Sequence, residues 1–223
     1  VNSTRFPNPR LYGDIIAIGG TLNPDLLFDA YSHGIFPWPM GENEEIPWFC
    51  PEKRAVLFFD EMRINRTLLR QKRRSPFTYT IDQAFEEVIE NCADTPRPGQ
   101  EGTWITEEVI RAYTEFHRLG HAHSVEVWEE SLGEKNLIGG IYGVEIQGVF
   151  SAESMFFKKS YASKLALLYL IDHLKKQGAQ WLDIQVMTPH MEALGAREIN
   201  RDEFLQLLAS TQLLRQQSSS KIF

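Results

Sequence analysis

Cysteine is scarce in this sequence: Cys50 and Cys92 are the only two among 223 residues. Two such residues make neither a disulfide framework nor a metal-ligand spacing. A reduced, cytoplasmic protein without a metal is the expectation. No apolar run approaches the ~20 residues that cross a bilayer. "VNSTRFPNPR" at the start lacks the apolar segment of a secretion signal, so no membrane partner is expected. Excess positive charge is missing as well. A net charge of −7 argues against wholesale coating of nucleic acid, and no DNA partner is expected; a local basic patch stays open. There is no Walker-type phosphate loop and no G-x-G-x-x-G, and no G-x-S-x-G nucleophile elbow. "GGIYG" (Gly139 to Gly143) lies in a hairpin pattern, which reads as local bending rather than a phosphate cradle. No cofactor is expected.

What remains is an ordinary globular composition, 43% hydrophobic and 24% charged. Residues 1 to about 50 are rich in Gly, Pro and aromatics. "DLLFDAYSHG" reads as a short amphipathic helix stopped by Gly34, and "GENEEIP" as an acidic loop. So short a segment has no comfortable core of its own, and it is expected to pack on the rest of the chain. Farther on, "RAVLFF" reads as a strand, and "NRTLLRQKRRS" as a helix capped by Asn65. "TIDQAFEEVIENCAD" reads as a helix, and "WITEEVIRAYTEFHRLG" as one capped by Thr106 and ended by Gly120. "HSVEVWEE" and "NLIGGIYGVEI" alternate as strands around a turn "SLGEKN", and "VFSAESMFF" comes after a "QG" turn. "SKLALLYLIDHLKKQG" reads as a helix, "WLDIQVM" as a strand, "REINRDEFLQLLAS" as a last helix and "QQSSSKIF" as a loose tail. This order implies an α+β fold with a mostly antiparallel sheet. It is compatible with an acetyltransferase-like (GNAT-like) fold, whose central strands splay to admit an acyl donor.

Several residues stand out against that scaffold. "WLDIQVM" carries Asp183 and Gln185, two apart and therefore on one face of a buried strand. Burying a carboxylate and an amide without partners is costly, so both need a role. Glu153, in the apolar strand "GVFSAESMFF", raises the same question and suits a cationic or amine ligand. Arg63, Arg66, Arg70, Lys72, Arg73 and Arg74 fall within twelve residues with no acid between them. Charge runs are usually solvated faces, but this asymmetry favours a polyanion contact. Trp38 in "FPWP" sits between prolines, where a ring is presented rather than packed. With the basic helix it points to an unpaired RNA end stacked on aromatic faces. The other aromatics read as core. "HAH" puts His121 and His123 on one face of an extended segment, but no further ligands are spaced to complete a metal site.

Taken in order, "GIFPWP", "EGTWIT", "GHAHSVEVW", "GGIYGV", "FSAESMFF", "ASKLALL" and "WLDIQV" resemble the leucyl/phenylalanyl-tRNA–protein transferases from about Ile16 to Ile199. The resemblance implies a small N-terminal domain, residues 1–52, and a GNAT-like catalytic domain, residues 53–223. It implies an aminoacyltransferase that moves Leu or Phe, with Met as a further donor, from aminoacyl-tRNA to proteins with N-terminal Arg or Lys. The product is marked for N-degron degradation in the bacterial cytoplasm. By motif, Trp38 and Trp104 would hold the terminal adenosine, supported by Tyr31 and Tyr113. Ile141, Phe150, Ala152, Met155, Leu167 and Leu182 would line the amino-acid pocket. Ile141 stands where the family pattern has Met and Leu170 where it has Phe; both stay apolar and bear on pocket shape, not on reaction class. The six cations from Arg63 to Arg74 would follow the tRNA backbone. "FFKKSYASK" lacks the glycine loop that acetyl-coenzyme A needs, which fits an aminoacyl-tRNA donor.

The reaction so implied is aminolysis of an ester by an α-amine, whose unperturbed pKa is ~7.7–8.0. It needs orientation of the amine, a proton acceptor and oxyanion stabilisation. The expected arrangement has Asp183 accepting a hydrogen bond from the Gln185 amide nitrogen, so that the amide oxygen faces the amine. Glu153 would hold the cationic acceptor end. Two rival readings remain: an acyl-coenzyme A N-acyltransferase on the same fold, and a non-catalytic RNA-binding module.

Overall fold

The computed structural model describes residues 4–41, 44–96, 103–131, 133–218 and 222–223. The expected turns and motifs at Glu42–Asn43, Glu101–Gly102, Leu132 and Ser219–Lys221 lie outside them. A 3-10 turn, Pro9–Leu11, leads to β1 (Ile15–Ile18), α1 (Pro24–Ser32), β2 (Phe36–Pro37) and β3 (Pro47–Phe49). These strands form a three-stranded sheet in the order β1-β3-β2. Asn23 caps α1 by accepting from the Leu26 amide. Gly34 ends it with a φ of 75°, and a side chain there would meet Phe204 Cε1 at 2.7 Å.

The second sheet has seven strands. It is built from β4 (Lys53–Phe58), β5 (Thr78–Ile81), β6 (Ala122–Ser131), β7 (Glu134–Ile146), β8 (Val149–Phe157), β9 (Trp181–Gln185) and β10 (Arg197–Asn200). The spatial order is β10-β4-β9-β8-β7-β6-β5. β8 and β9 run parallel and the other neighbours antiparallel. The parallel pair meets at a single register point, Ser151 with Asp183, and then diverges. Helices α2 (Arg66–Arg74), α3 (Phe85–Ala93), α4 (Glu107–Arg118), α5 (Ala162–Lys176), α6 (Pro189–Ala193) and α7 (Arg201–Ser218) complete the chain. Asn65 and Thr106 cap α2 and α4 as their positions predict.

Three apolar clusters cover the large sheet. Leu165, Leu168 and Ile171 of α5 pack on Val125, Ile141 and Leu182. Phe204 and Leu208 of α7 pack on Val56, Trp181 and Ile199. Leu27, Tyr31, Phe36 and Trp48 join Val88, Tyr113, Phe116 and Phe156 in one cluster, so the first fifty residues share their core with α3, α4 and β8.

Three local expectations need correction. Thr80–Ile81 belong to a strand, not a helix: Thr78–Ile81 pairs with Val125–Trp128, and Asp82 turns the chain at a φ of 57° before α3 begins. "REIN" is β10, paired with β4, and the helix starts only at Arg201. Nor are the described residues of the final segment loose as expected. The helix runs to Ser218, Ile222 is buried, and Phe223 stacks on His123 at 4.0 Å. In each case the deciding contact is with a distant strand, which local periodicity does not register.

Candidate active site

The divergence of β8 and β9 opens a cleft, and irregular backbone aims polar groups into it. On β8 the register slips so that Tyr142 faces Ser154 and Gly143 faces Ala152, which leaves Glu153 as the extra residue of a bulge. On the other side of β9, Gln185 faces Ala55 and Asp183 faces Val56, which leaves Ile184 unpaired. Gln185 itself has a φ of 61°, and the Val186 amide donates to the Ile184 carbonyl across it at 2.6 Å. Such a conformation is rare for a residue with a side chain and needs support from its surroundings.

Asp183 supplies that support. It is 1% exposed. The Gln185 backbone amide donates to its Oδ1 at 2.9 Å, and Ser151 Oγ donates to Oδ2 at 2.8 Å. Arg54 donates from Nε to Oδ1 at 2.8 Å and from Nη2 to Oδ2 at 2.7 Å. The expected bond from the Gln185 side-chain amide to Asp183 is therefore absent. Gln185 Nε2 instead donates to Glu153 Oε1 at 2.7 Å. Asp183 is already saturated by four donors, and it holds the Gln185 backbone rather than the amide. Asp183 and Gln185 both turn to polar partners; Leu182 points into the α5 cluster, and the bulged Ile184 joins that cluster and also reaches the cleft.

Glu153 is the centre of the cluster. Tyr31 donates to its Oε1 at 2.8 Å, and the Tyr31 and Tyr113 hydroxyls lie 2.6 Å apart. Burial pushes its carboxyl up to about 8. The Tyr31 hydrogen bond pulls the other way, the Asp183 charge adds to the rise, and Gln185 and Arg54 oppose it. Burial foremost, and then the nearby carboxylate, raise both tyrosines well above their ordinary value, so they stay neutral donors. Both rings are buried. Tyr31 and Tyr113 therefore act on Glu153 through their hydroxyls, and present no free face to a base.

Trp38, Trp104, Phe36 and Pro37 line one end of the cleft, with Glu153, Ile184, Gln185, Val186 and Thr188 along its floor and far wall. The space continues into a pocket of about 330 Å³ beside Ile141, Ala152, Met155 and Met191. Trp38 and Trp104 are only partly buried. Three of the six expected pocket residues thus reach the surface of this space. Phe150, Leu167 and Leu182 lie behind it in the α5 cluster. Ile184 and Met191 were not anticipated, although alternation along β9 and the capped turn after it could have flagged them.

All six cations from Arg63 to Arg74 are exposed. Arg66, Arg70, Arg73 and Arg74 surround one shallow hollow on α2. Lys72 is set apart by an ion pair with Asp172 of α5. The Arg63 amide donates to the Leu194 carbonyl, beside the short helix that carries Met191.

His121 and His123 do not share a site. His121 packs between Phe28 and Phe116. His123 joins Asp82 and His117, and ligand-type atoms of these three lie within 4.8 Å of one another. His123 Nδ1 donates to Asp82 Oδ2 and His117 Nδ1 to the Ala122 carbonyl, each at 2.7 Å. That bonding ties the end of β5 to β6. Arg54 is the residue that sequence reasoning missed. At the edge of "RAVLFF" it looks like any strand-end cation, and the only signal was that a buried Asp183 needs a counter-charge.

The mixed seven-stranded sheet thus carries a carboxyl–amide cluster at a cleft beside β8 and β9. FemX has a related fold, with a TM-score of 0.51 at 9% identity over 82% of this chain and 70% of that one. The family model "Leucyl/phenylalanyl-tRNA protein transferase" matches residues 56–209, and its N-terminal domain model matches residues 20–52. The leucyl/phenylalanyl-tRNA–protein transferase of Shewanella sp. (strain W3-18-1) is 46% identical over 91% of this chain and 85% of its own length. That of Maridesulfovibrio salexigens is 46% identical over 91% and 84%. The chain belongs to the leucyl/phenylalanyl-tRNA–protein transferase family.

Proposed function

We propose that the protein transfers Leu or Phe, with Met as a further donor, from aminoacyl-tRNA to the α-amine of proteins that begin with Arg or Lys. The product is thereby marked for N-degron degradation in the bacterial cytoplasm. One observation carries this reading: the Gln185 amide and the Glu153 carboxyl meet in a cleft that has an aromatic end and an apolar end. The terminal adenosine stacks at Trp38 and Trp104. The aminoacyl side chain enters beside Ile141, Ala152, Met155 and Met191, with Phe150, Leu167 and Leu182 as backing. Filled volume separates Leu from Val there, at ~1–3 kcal/mol per methylene. Residues 1–52 act as a small domain that supplies the Trp38 wall, and residues 53–223 as the catalytic domain. The exposed cations of α2, with Arg63, follow the tRNA backbone.

The geometry supports a revised relay. Glu153 fixes Gln185 Nε2, which leaves Gln185 Oε1 to accept from the attacking amine. Both hydrogen bonds to Glu153 fall on Oε1, so Oε2 is the oxygen that serves a substrate. A carboxyl near 8 matches the ~7.7–8.0 of an α-amine, and proton transfer between them is close to thermoneutral. The amine nitrogen attacks the ester carbon, its proton passes to Glu153, and the C–O bond to ribose breaks. Glu153 returns the proton to the departing ribose oxygen.

Incubation with labelled Leu-tRNA and an Arg-starting peptide tests the proposal. Label should appear in the peptide, and a Val-tRNA control should give little. No transfer despite tight tRNA binding would favour the RNA-binding module. Transfer from labelled acetyl-coenzyme A would favour the other rival.

A further inference from the structure

We propose that Arg54 is a positioning residue that sets both walls of the cleft at once, an inference that rests on the reaction proposed above. Arg54 is 1% exposed, and all three of its guanidinium nitrogens are engaged. Nε and Nη2 grip Asp183, whose Oδ1 holds the Gln185 amide in its left-handed conformation. Nη1 donates to the Gly34 carbonyl at 3.2 Å. The guanidinium carbon also lies over two aromatic rings, 4.7 Å from the centre of Phe36 and 4.5 Å from that of Phe204. Phe36 and Pro37 lead directly into Trp38, and all three line the cleft.

One rigid fork therefore connects the turn that presents Gln185 to the segment that presents Trp38. Burial works against the Arg54 charge, but Asp183 more than offsets it, and the net direction of its pKa is up. Stability alone does not explain such a pair, because an apolar pair of similar volume often serves a core as well. Only a planar guanidinium can fork to a carboxylate, reach a carbonyl and lie over two rings; an ammonium is a point charge. The pair instead links two segments 129 positions apart along the chain.

Arg54→Lys tests this, since it keeps the charge and loses the fork. Hydrogen exchange reads the walls without any substrate: the Trp38 and Gln185 amides should both exchange at least about tenfold faster, while core amides of α5 stay unchanged. In the transfer assay, kcat should fall at least about tenfold and the KM for aminoacyl-tRNA should rise at least about threefold. Gln185→Ala should move only kcat and Trp38→Ala only KM. Combining Arg54→Lys with Trp38→Ala should give a less than additive loss, which marks coupling. The idea is overturned if folded Arg54→Lys leaves both amides protected, or if the combined losses simply add. Should Arg54→Lys not fold, Arg54→Met with Asp183→Leu removes the pair symmetrically. A folded double variant with wild-type turnover overturns the idea, and one that folds but exchanges fast at both walls supports it. If the wild type transfers nothing, the proposed reaction fails, and the exchange data still decide the role of Arg54.

Discussion

At the scale of single residues, Glu153 joins stability to the chemistry proposed for it. It is held neutral by burial, beside an amide and a tyrosine that both donate to the same oxygen. Its carboxyl lies near 8, against an ordinary 4.5. A group whose folded value is raised contributes its stability below the unfolded value and loses it as pH rises through the folded one. Replacing Glu153 with Gln keeps an acceptor for Tyr31 but removes the titration. The variant should therefore gain stability over wild type as pH climbs from about 5 to about 8, by on the order of 2–4 kcal/mol. Denaturant melts across that range check this, and a pH-independent difference would sink it. The same substitution should lower turnover by about 10²-fold or more, the range of a lost general base. Below about pH 7, log kcat/KM in wild type should rise with a slope near two, one proton from the amine and one from Glu153. In Glu153→Gln the slope should drop to about one, and an unchanged slope would remove Glu153 as proton acceptor. The sequence made the strand, the shared face and the need for partners legible. It could not show that Asp183 grips a backbone amide, because that depends on the left-handed turn at Gln185. Nor could it show that Glu153 takes the side-chain amide, since the bulge that aims Glu153 exists only once β7 and β8 are in register.

At the scale of elements, the readable parts were those whose signal is local. Capped helices such as α2 and α4 announce themselves by Asn65 and Thr106. The hairpin through Gln147 and Gly148 does so by its turn. β5 and β10 were misread because their partners lie far along the chain. The same distinction matters for α2. Its charges were legible as a run, but their value to a polyanion depends on what each one faces. Arg70 and Arg73 border the open hollow, while Lys72 already pairs with Asp172. Reversing Arg70 or Arg73 to Glu should weaken aminoacyl-tRNA binding and reduce the slope of log K against log salt by about 0.7–0.9 per lost phosphate contact. Reversing Lys72 should change the slope less, because that cation is partly committed. Filter binding at several salt concentrations would measure this. Equal effects at all three positions would mean that α2 acts only through net charge.

At the scale of the whole molecule, residues 9–14 are tied to the start of α7. Arg201, the first residue of α7, is 7% exposed. It donates to the carbonyls of Pro9, Tyr12 and Gly13 at 2.6–2.7 Å. Its own amide donates to the Glu52 carbonyl, while Asp14 accepts from the Glu52 amide. The early segment is thus pinned to α7, and α7 in turn packs Phe204 against Gly34 and the Arg54 guanidinium. Nothing in the opening residues signals this, because the partner of each carbonyl lies nearly the whole chain away. Hydrogen bonds from a charged donor are worth ~1.5–3 kcal/mol, and shared desolvation keeps three on one group from adding fully. Arg201→Ala should therefore cost about 2–4 kcal/mol. For a chain of this size that lowers Tm by about 4–16 °C, at ~2–4 °C per kcal/mol. Arg201 lines neither part of the cleft. So kcat and KM, measured well below the melting range, should stay near wild type. This separates Arg201 from Arg54: both are buried cations that hold part of the early segment, Arg201 at residues 9–13 and Arg54 at Gly34, yet only Arg54 also touches Asp183. A Tm change under about 2 °C would show that the early segment is held by its apolar cluster alone. A loss of turnover at full folding would show instead that the pinned end transmits to the Trp38 wall through α7.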